Sequence, residues 1–203
     1  SLGSYYRYGY QLIARANTVL QKIEENKDIA YKLKRELKNY HRGEALFLRS
    51  WMYFRLWNIF GNAAPLVNER ITSLKDAYPP SCTGTQMLDQ AIKDLQEAST
   101  LLPASWDAAN KGRVTKNSAL GLAGKILVYR GTVNKQNADF TAAITAFNGI
   151  SGASLMPNYG DNFDATKENN AESLFEFQSN DQAQETNQFL NNDDFSVVGE
   201  MGA

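Results

Sequence analysis

Apolar residues return at steps of three and four along the first three quarters of this chain, which is the spacing of a single buried helix face. Tyr5, Gly9, Leu12, Ile13, Ala16, Leu20 and Ile23 form the first stripe, and the polar residues at 25–26 predict that its helix stops there. A second, longer helix is predicted from about residue 28 to residue 60. It is amphipathic through Leu33, Leu37 and Tyr40, then apolar nearly all round from Leu46, where only Arg49, Ser50, Arg55 and Asn58 are polar. A helix that passes from half-buried to wholly buried along its length runs through the middle of a bundle. This one, which carries Trp51, is expected to be the most buried element, and Gly61 ends it.

Residues 61–84 hold Pro65, Pro79 and Pro80 among scattered polar positions and read as a long excursion. Thr83 and Gln86 have the spacing of a capping box. After them Met87, Leu88, Ala91, Ile92, Leu95, Ala98, Leu101 and Leu102 keep a helical period as far as Pro103. Thr115 is a candidate N-cap for a fourth helix bearing Ala119, Leu122, Ala123, Ile126 and Leu127. Gly121 and Gly124 lie inside that helix, each costing about 1 kcal/mol against alanine; two such glycines point to another backbone passing close. A fifth helix from about residue 139 carries Phe140, Ala143 and Phe147, the spacing of the second helix of a tetratricopeptide repeat. There the alanine lets two helices approach and the aromatics fill the gap between successive repeats.

Beyond Ile150 the helical period is lost. Leu155, Tyr159 and Phe163 stand apart in a Gly/Asn/Asp-rich stretch, residues 174–178 alternate like a short strand, and residues 179–194 are dominated by Asn, Gln and Asp. The expected fold class is all-α, with tetratricopeptide-repeat-like antiparallel helix pairs and long loops, and at most one short strand near the C-terminal end. Residues 1–150 form the helical-repeat scaffold and 151–203 a loop-rich segment.

Composition narrows the functional classes. A chain of 203 residues, 43% of them hydrophobic, can bury a sizeable core. Its formal net charge of -1 gives no general attraction to phosphate backbones or anionic lipid, so nucleic acid is not an expected partner. The single cysteine, Cys82, has no second thiol with which to form an intramolecular disulfide. Residues 46–60 are the most apolar window, yet fall short of the roughly 18 residues of a membrane span. The first ten residues, four of them tyrosine, have no signal-peptide apolar core, so either the protein is cytoplasmic or its beginning lies upstream of Ser1.

Candidate chemistry is sparse. His41 and Glu44 make an H-x-x-E on one helical face, but the chain has one histidine, and a metal or acid–base site needs a further group from elsewhere. Asp161, Asp164 and Glu168 lack the alternating spacing and central glycine of a calcium loop and read as solvated charge. No nucleophile, base and orienter set and no defined carboxylate pair can be argued, so no catalytic residue, cofactor or metal is expected and the protein is not read as an enzyme. Three residues are expected to be structural. Arg49, deep in the apolar run, needs a carboxylate or several carbonyls, with Glu44 the partner suggested by proximity. Asn17 is expected to bond the backbone of a neighbouring helix. Trp51, Phe54 and Trp57 share helical spacing and are expected in the core. Trp106 has no periodic partner, and it is the aromatic candidate for ligand contact, because sugars lay an apolar face on aromatic rings; a lid over a hydrophobic gap is the reading preferred for it.

The order of motifs says more than any one of them. Residues 42–56 read Arg-Gly-Glu-Ala-Leu-Phe-Leu-Arg-Ser-Trp-Met-Tyr-Phe-Arg-Leu. This resembles the G-E-A-x-F-L-R-A segment of the SusD/RagB family with its aromatic-rich helix. Gly61 and Pro65-Leu66 are similar to the ending of that segment, although three residues rather than the usual two separate glycine from proline. Upstream, residues 13–20 resemble the family's I-x-x-A-N-x-x-L helix. Downstream, residues 92–98 with Leu102-Pro103, then 112–116, then Tyr159 and Phe163, then Glu172-Ser173-Leu174-Phe175-Glu176-Phe177-Gln178, follow in the family's order.

The resemblance implies a non-catalytic outer-membrane lipoprotein on the extracellular face, used in polysaccharide (starch-like) or other nutrient uptake. Such a protein captures an oligosaccharide or, in RagB-like members, a peptide, and acts as lid of a SusC-like TonB-dependent transporter. It implies that this chain is a partial domain, without the lipid-anchored N-terminal segment and the C-terminal portion. The family's ligand-contacting residues lie largely outside these helices, so none is carried over by motif. A plain helical-repeat scaffold binding only protein is the alternative.

Overall fold

The computed structural model describes residues 2–26, 32 and 35–177. Five α-helices lie among them: α1 (Leu2–Glu25), α2 (Arg35–Phe60), α3 (Gln86–Leu101), α4 (Lys116–Asn134) and α5 (Asn137–Asn148). Each packs on the next, α1 on α2, α2 on α3, α3 on α4 and α4 on α5. The fold is all-α, an array of antiparallel helix pairs of tetratricopeptide-repeat type. Of the first part of the second predicted helix, Lys32 is described and stands in a turn, the rest, with Leu33, lies outside the described residues, and the helix itself is described from Arg35. No helix among the described residues is long and apolar enough to cross a membrane.

α2 is the spine. Leu46, Phe47, Met52, Tyr53, Phe54 and Leu56 are buried on it, against Ile13 of α1 and Met87, Leu88 and Leu95 of α3. Trp51 and Trp57 sit half-buried at the rim of this core. Burying a large apolar side chain contributes about 1.5–3 kcal/mol, so the six on α2 outweigh any other element's share.

Helix starts follow local hydrogen bonding. α3 begins at Gln86, whose side chain accepts the Thr83 N–H at 2.9 Å, but Thr85 takes the cap position and its hydroxyl bonds Asp89 and Asn134 side chains instead of capping the helix backbone. Only half of the expected box forms. At α4 both halves form: the Ser118 N–H donates to Thr115 Oγ1 at 3.2 Å and the Thr115 N–H to Ser118 Oγ at 3.0 Å.

The two glycines of α4 are crowded by side chains, not by a passing backbone. A Cβ on Gly121 would lie 2.6 Å from Leu174 Cδ1, and one on Gly124 2.6 Å from Phe147 Cζ. Leu174 therefore presses on α4 as a plug, and residues 174–177 form no strand. The isolated bridge among the described residues joins Pro65 to Ser81 and closes the neck of the excursion between α2 and α3.

Candidate functional site

The polar centre of the array is built on Arg49. Its Nε donates to Asp94 Oδ2 at 2.7 Å and its Nη2 to Asp94 Oδ1 at 2.9 Å, a two-pronged pair between α2 and α3. Nη1 reaches Asn17 Oδ1 on α1 at 2.7 Å and the Asn68 carbonyl at 2.9 Å. Arg49 is 5% exposed and Asp94 3%, so the pair is desolvated on both sides. Burial alone would lower the guanidinium pKa, but the hydrogen bonds and charge of Asp94 more than offset it and the net shift is upward. Gln90 donates to Asp94 Oδ1 at 2.7 Å, occupying more of the carboxylate.

Around this pair, side chains of α1 and α2 catch the strap that follows α2 by its carbonyls. Asn17 Nδ2 donates to Val67 O at 2.8 Å and to Glu69 O at 2.9 Å. Tyr53 Oη donates to Val67 O at 2.8 Å and Tyr10 Oη to Pro65 O at 2.6 Å. Burial raises the pKa of both phenols, so each stays a hydroxyl donor. Together with Arg49 these groups hold the carbonyls of Pro65, Val67, Asn68 and Glu69, without reading the strap's own side chains. Asn17 thus bonds loop backbone rather than a helix, and Arg49 pairs with Asp94 rather than Glu44.

Glu44 serves a second node. Arg113 Nε and Nη2 donate to its two carboxylate oxygens at 2.7 and 2.9 Å, raising the Arg113 pKa through that hydrogen-bonded charge. The same guanidinium lies 3.9 Å over the Trp106 ring. Tyr40 meets that ring edge-on with centroids 5.1 Å apart, and Trp106 Nε1 donates to Val114 O at 2.8 Å. Trp106 is therefore stacked and hydrogen-bonded within its loop. It borders a cavity of about 230 Å³ with Asn117, Asn170 and Leu174. The amides there are already used: Asn117 exchanges hydrogen bonds with the Ser151 backbone, and Asn170 bonds Asn162 and the N–H groups of Glu172 and Ser173.

A larger open cleft of about 400 Å³ lies between the strap and α3, lined by Leu66, Cys82, Gln86, Asp89, Gln90 and Lys93 among others. Its polar groups are also largely engaged, Asp89 by Arg130, Gln90 by Asp94 and Gln86 by Thr83. Burial pushes the Cys82 thiol pKa up, away from a reactive thiolate. In the loops, Asp161 pairs with Lys167 at 2.7 Å and Asp164 caps Thr166. No group of three or more His, Cys, Asp or Glu among the described residues is disposed to hold a metal.

The comparisons with known proteins agree with one another. A SusD-like family model, described as starch-binding and associating with the outer membrane, matches residues 1–128. SusD-like protein P38 of Formosa agariphila is 26% identical over 137 residues, covering 68% of this chain and 25% of that protein. A laminarin-binding SusD-like protein superposes with a TM-score of 0.73 at 29% identity, over 85% of this chain and 36% of its own. A SusD superfamily protein from Bacteroides vulgatus gives a TM-score of 0.70 at 29% identity, over 85% of this chain and 35% of its own. The chain spans about a quarter of the curated relative and about a third of these solved ones.

Proposed function

This chain belongs to the SusD-like family, and from that premise we propose that it is the helical scaffold of a non-catalytic glycan-capture protein at the outer membrane. The observation that carries the reading is the likeness to a laminarin-binding SusD-like protein along 85% of the chain. On this reading the protein stands on the extracellular face, tethered by an N-terminal lipid, and forms the lid of a SusC-like TonB-dependent transporter to which it passes oligosaccharide.

The state of the polar groups supports a scaffold role for these helices. A sugar site needs an aromatic face with several planar polar side chains free to exchange water for hydroxyls. Here the Trp106 ring is covered by the Arg113 guanidinium and met edge-on by Tyr40, and Asn117 and Asn170 bond protein. Each sugar contact is worth little once water has been displaced, so a few leftover groups do not make a site. The ligand surface is assigned to other parts of the protein, and Trp106 to holding the loop between α3 and α4.

Calorimetric titration of laminari-oligosaccharides tests this with three samples: the protein as its cell makes it, residues 1–203 alone, and the Trp106→Ala variant of the first. The expected order is full affinity, loss by more than tenfold and no change. A tenfold step is about 1.4 kcal/mol. Affinity of residues 1–203 within that step would put the site inside these helices and sink the scaffold reading. Binding of peptides in place of every glycan tried would move the ligand to the RagB-like class.

A further inference from the structure

α1 supplies most of what seats the strap. Tyr10 holds the Pro65 carbonyl at 2.6 Å, and the Asn17 amide holds those of Val67 and Glu69 at 2.8 and 2.9 Å, so α1 grips the strap at both ends. α2 holds the middle, through Tyr53 to Val67 O and Arg49 to Asn68 O. The Arg49 Nη1 that does so is itself bonded to Asn17 Oδ1 on α1. Asn17, Arg49 and Tyr53 are all buried, and hydrogen bonds of buried groups are the expensive ones to leave unmade. Against the strap lies Cys82, which is 6% exposed and part of the core. Its sulfur is hydrogen-bonded by the backbone of Leu66, the residue between the two carbonyls that Tyr10 and Tyr53 hold. Its neighbour Ser81 bridges Pro65. Leu66 and Cys82 also line the cleft of about 400 Å³ that runs between the strap and α3.

We infer that α1 and the strap, residues 65–69, open and close as one unit, a latch that covers Cys82 and sets the width of the cleft beside α3. Asn17 is its bolt. The amide faces two ways, its oxygen to Arg49 and its nitrogen to the strap, so α1 cannot leave without releasing the strap at both ends and stripping a bond from the buried guanidinium. Groups that share partners in one hydrogen-bond network are energetically coupled, and proteins open locally in cooperative units at less cost than unfolding throughout. The strap is held by its carbonyls, so it is freed as a length of backbone rather than residue by residue. Opening also has a natural limit. The two-pronged Arg49–Asp94 pair joins α2 to α3 without α1 and keeps the rest of the array closed. All of these groups are buried or bonded within the array, so polypeptide packed on its outside leaves the latch as it is.

The test uses the complete protein, as wild type, Tyr10→Phe and Ile126→Val, with two readouts of opening at one pH. One is alkylation of Cys82 by iodoacetamide, followed on its own peptide by mass spectrometry. The other is amide exchange in peptides from α1 and α4. A covered thiol reacts through the open state, so its rate against that of the denatured protein gives an opening constant. In wild type, Cys82 and the α1 amides around Ile13 and Ala16 should give constants that agree within about threefold and exceed that of the α4 amides around Ile126. Tyr10→Phe keeps the ring against Tyr6 and removes one hydrogen bond, so both should rise together by about fivefold, the factor that such a bond is worth. Ile126→Val trims a side chain buried in α4 and lowers stability towards complete unfolding. It should quicken the α4 amides and leave Cys82 and α1 at their wild-type rates. A Tyr10→Phe effect on α1 without Cys82, on Cys82 without α1, or on neither overturns the latch, because helix and strap would then move separately or not depend on that bond. Equal constants at Cys82, α1 and α4 that all rise in Ile126→Val overturn it too, since the array would then open only by unfolding throughout.

Discussion

Around α1, α2 and α3 the packing is organised by a charge that water does not reach, whereas between α4, α5 and residues 151–177 it is organised by glycines into which side chains are plugged. The first region locks three helices and a strap through one guanidinium whose hydrogen bonds reach Asp94, Asn17 and the Asn68 carbonyl. The second relies on Phe147 against Gly124 and Leu174 against Gly121. It leaves Tyr129, Val133, Phe140, Ile144 and Phe147 between 36% and 60% exposed. Phe140 and Phe147, whose spacing suits the gap between successive repeats, here lie against Gly131 and Gly124 of α4. A buried ion pair specifies one arrangement and tolerates no half measures; plugged glycines specify distance and tolerate small shifts.

That contrast can be broken most forcefully at Arg49. In Arg49→Met the Asp94 carboxylate stays buried without its cation, and the Asn68 carbonyl loses a donor. Removing one partner of a buried pair costs about 3–5 kcal/mol, while replacing both by apolar residues is often near neutral. Urea denaturation should therefore show a loss of that size for Arg49→Met and recovery of most of it in Arg49→Met/Asp94→Leu. A single variant within about 1 kcal/mol of wild type, the range of exposed pairs, would mean that the node is solvated and the contrast false.

A smaller effect is expected from the glycines, and the two should differ. In Gly124→Ala the new methyl meets the rigid Phe147 ring at several atoms, and overpacking of this kind costs about 1–3 kcal/mol, more than the roughly 1 kcal/mol that alanine returns in helix propensity. In Gly121→Ala the obstacle is the far end of Leu174, which can rotate away. Thermal denaturation should show Gly124→Ala clearly destabilised and Gly121→Ala near wild type, with faster amide exchange confined to residues 151–177 in the latter. Equal losses at both positions would mean that Leu174 is held as firmly as Phe147.

Much of this contrast is legible in the order of residues alone. Helical period locates all five helices, and the apolar surroundings of Arg49 announce a buried charge in need of a partner. The partner is not legible. Asp94 lies in the run Ile92-Lys93-Asp94-Leu95-Gln96-Glu97, where an aspartate looks like any residue of a solvated face, and the crossing of α2 and α3 decides which carboxylate turns inward. Nearness along the chain points to Glu44 instead, yet the partner of Glu44, Arg113, is 69 residues away. The strap is illegible for a different reason, since carbonyls leave no trace in residue identity. Capping at Thr115 can be read from one side chain, but Ser118 completing the box departs from the usual Glu or Gln. Gly121 and Gly124 announce a close approach without saying that side chains make it.

The finest test of the contrast uses acid, and it acts on residues 151–177. Glu172 Oε2 accepts the Met156 N–H at 2.9 Å and Asn162 Nδ2 at 3.0 Å. These hydrogen bonds, the backbone one first, hold its pKa below the usual carboxylate range. Asp164 is lowered as well, by the Thr166 hydroxyl and then its N–H. A carboxylate whose folded-state pKa is depressed contributes stability that is fully present above the unfolded value and is lost as pH falls through the folded one. The unfolded value for glutamate is about 4.3, so the segment should hold near neutrality and loosen only below that value. Both carboxylates sit near solvent, which keeps the effect local and small. Amide protection factors, taken relative to the intrinsic exchange rate at each pH, should therefore fall on acidification at Met156, Asn162 and Thr166 before the α2 core responds. Glu172→Gln keeps an acceptor oxygen but removes the titrating charge, so it should flatten the response at Met156 and Asn162 and leave that at Thr166 in place. Acid loosening at Met156 of the same size in Glu172→Gln would mean that the fold of this segment depends on something other than the Glu172 carboxylate.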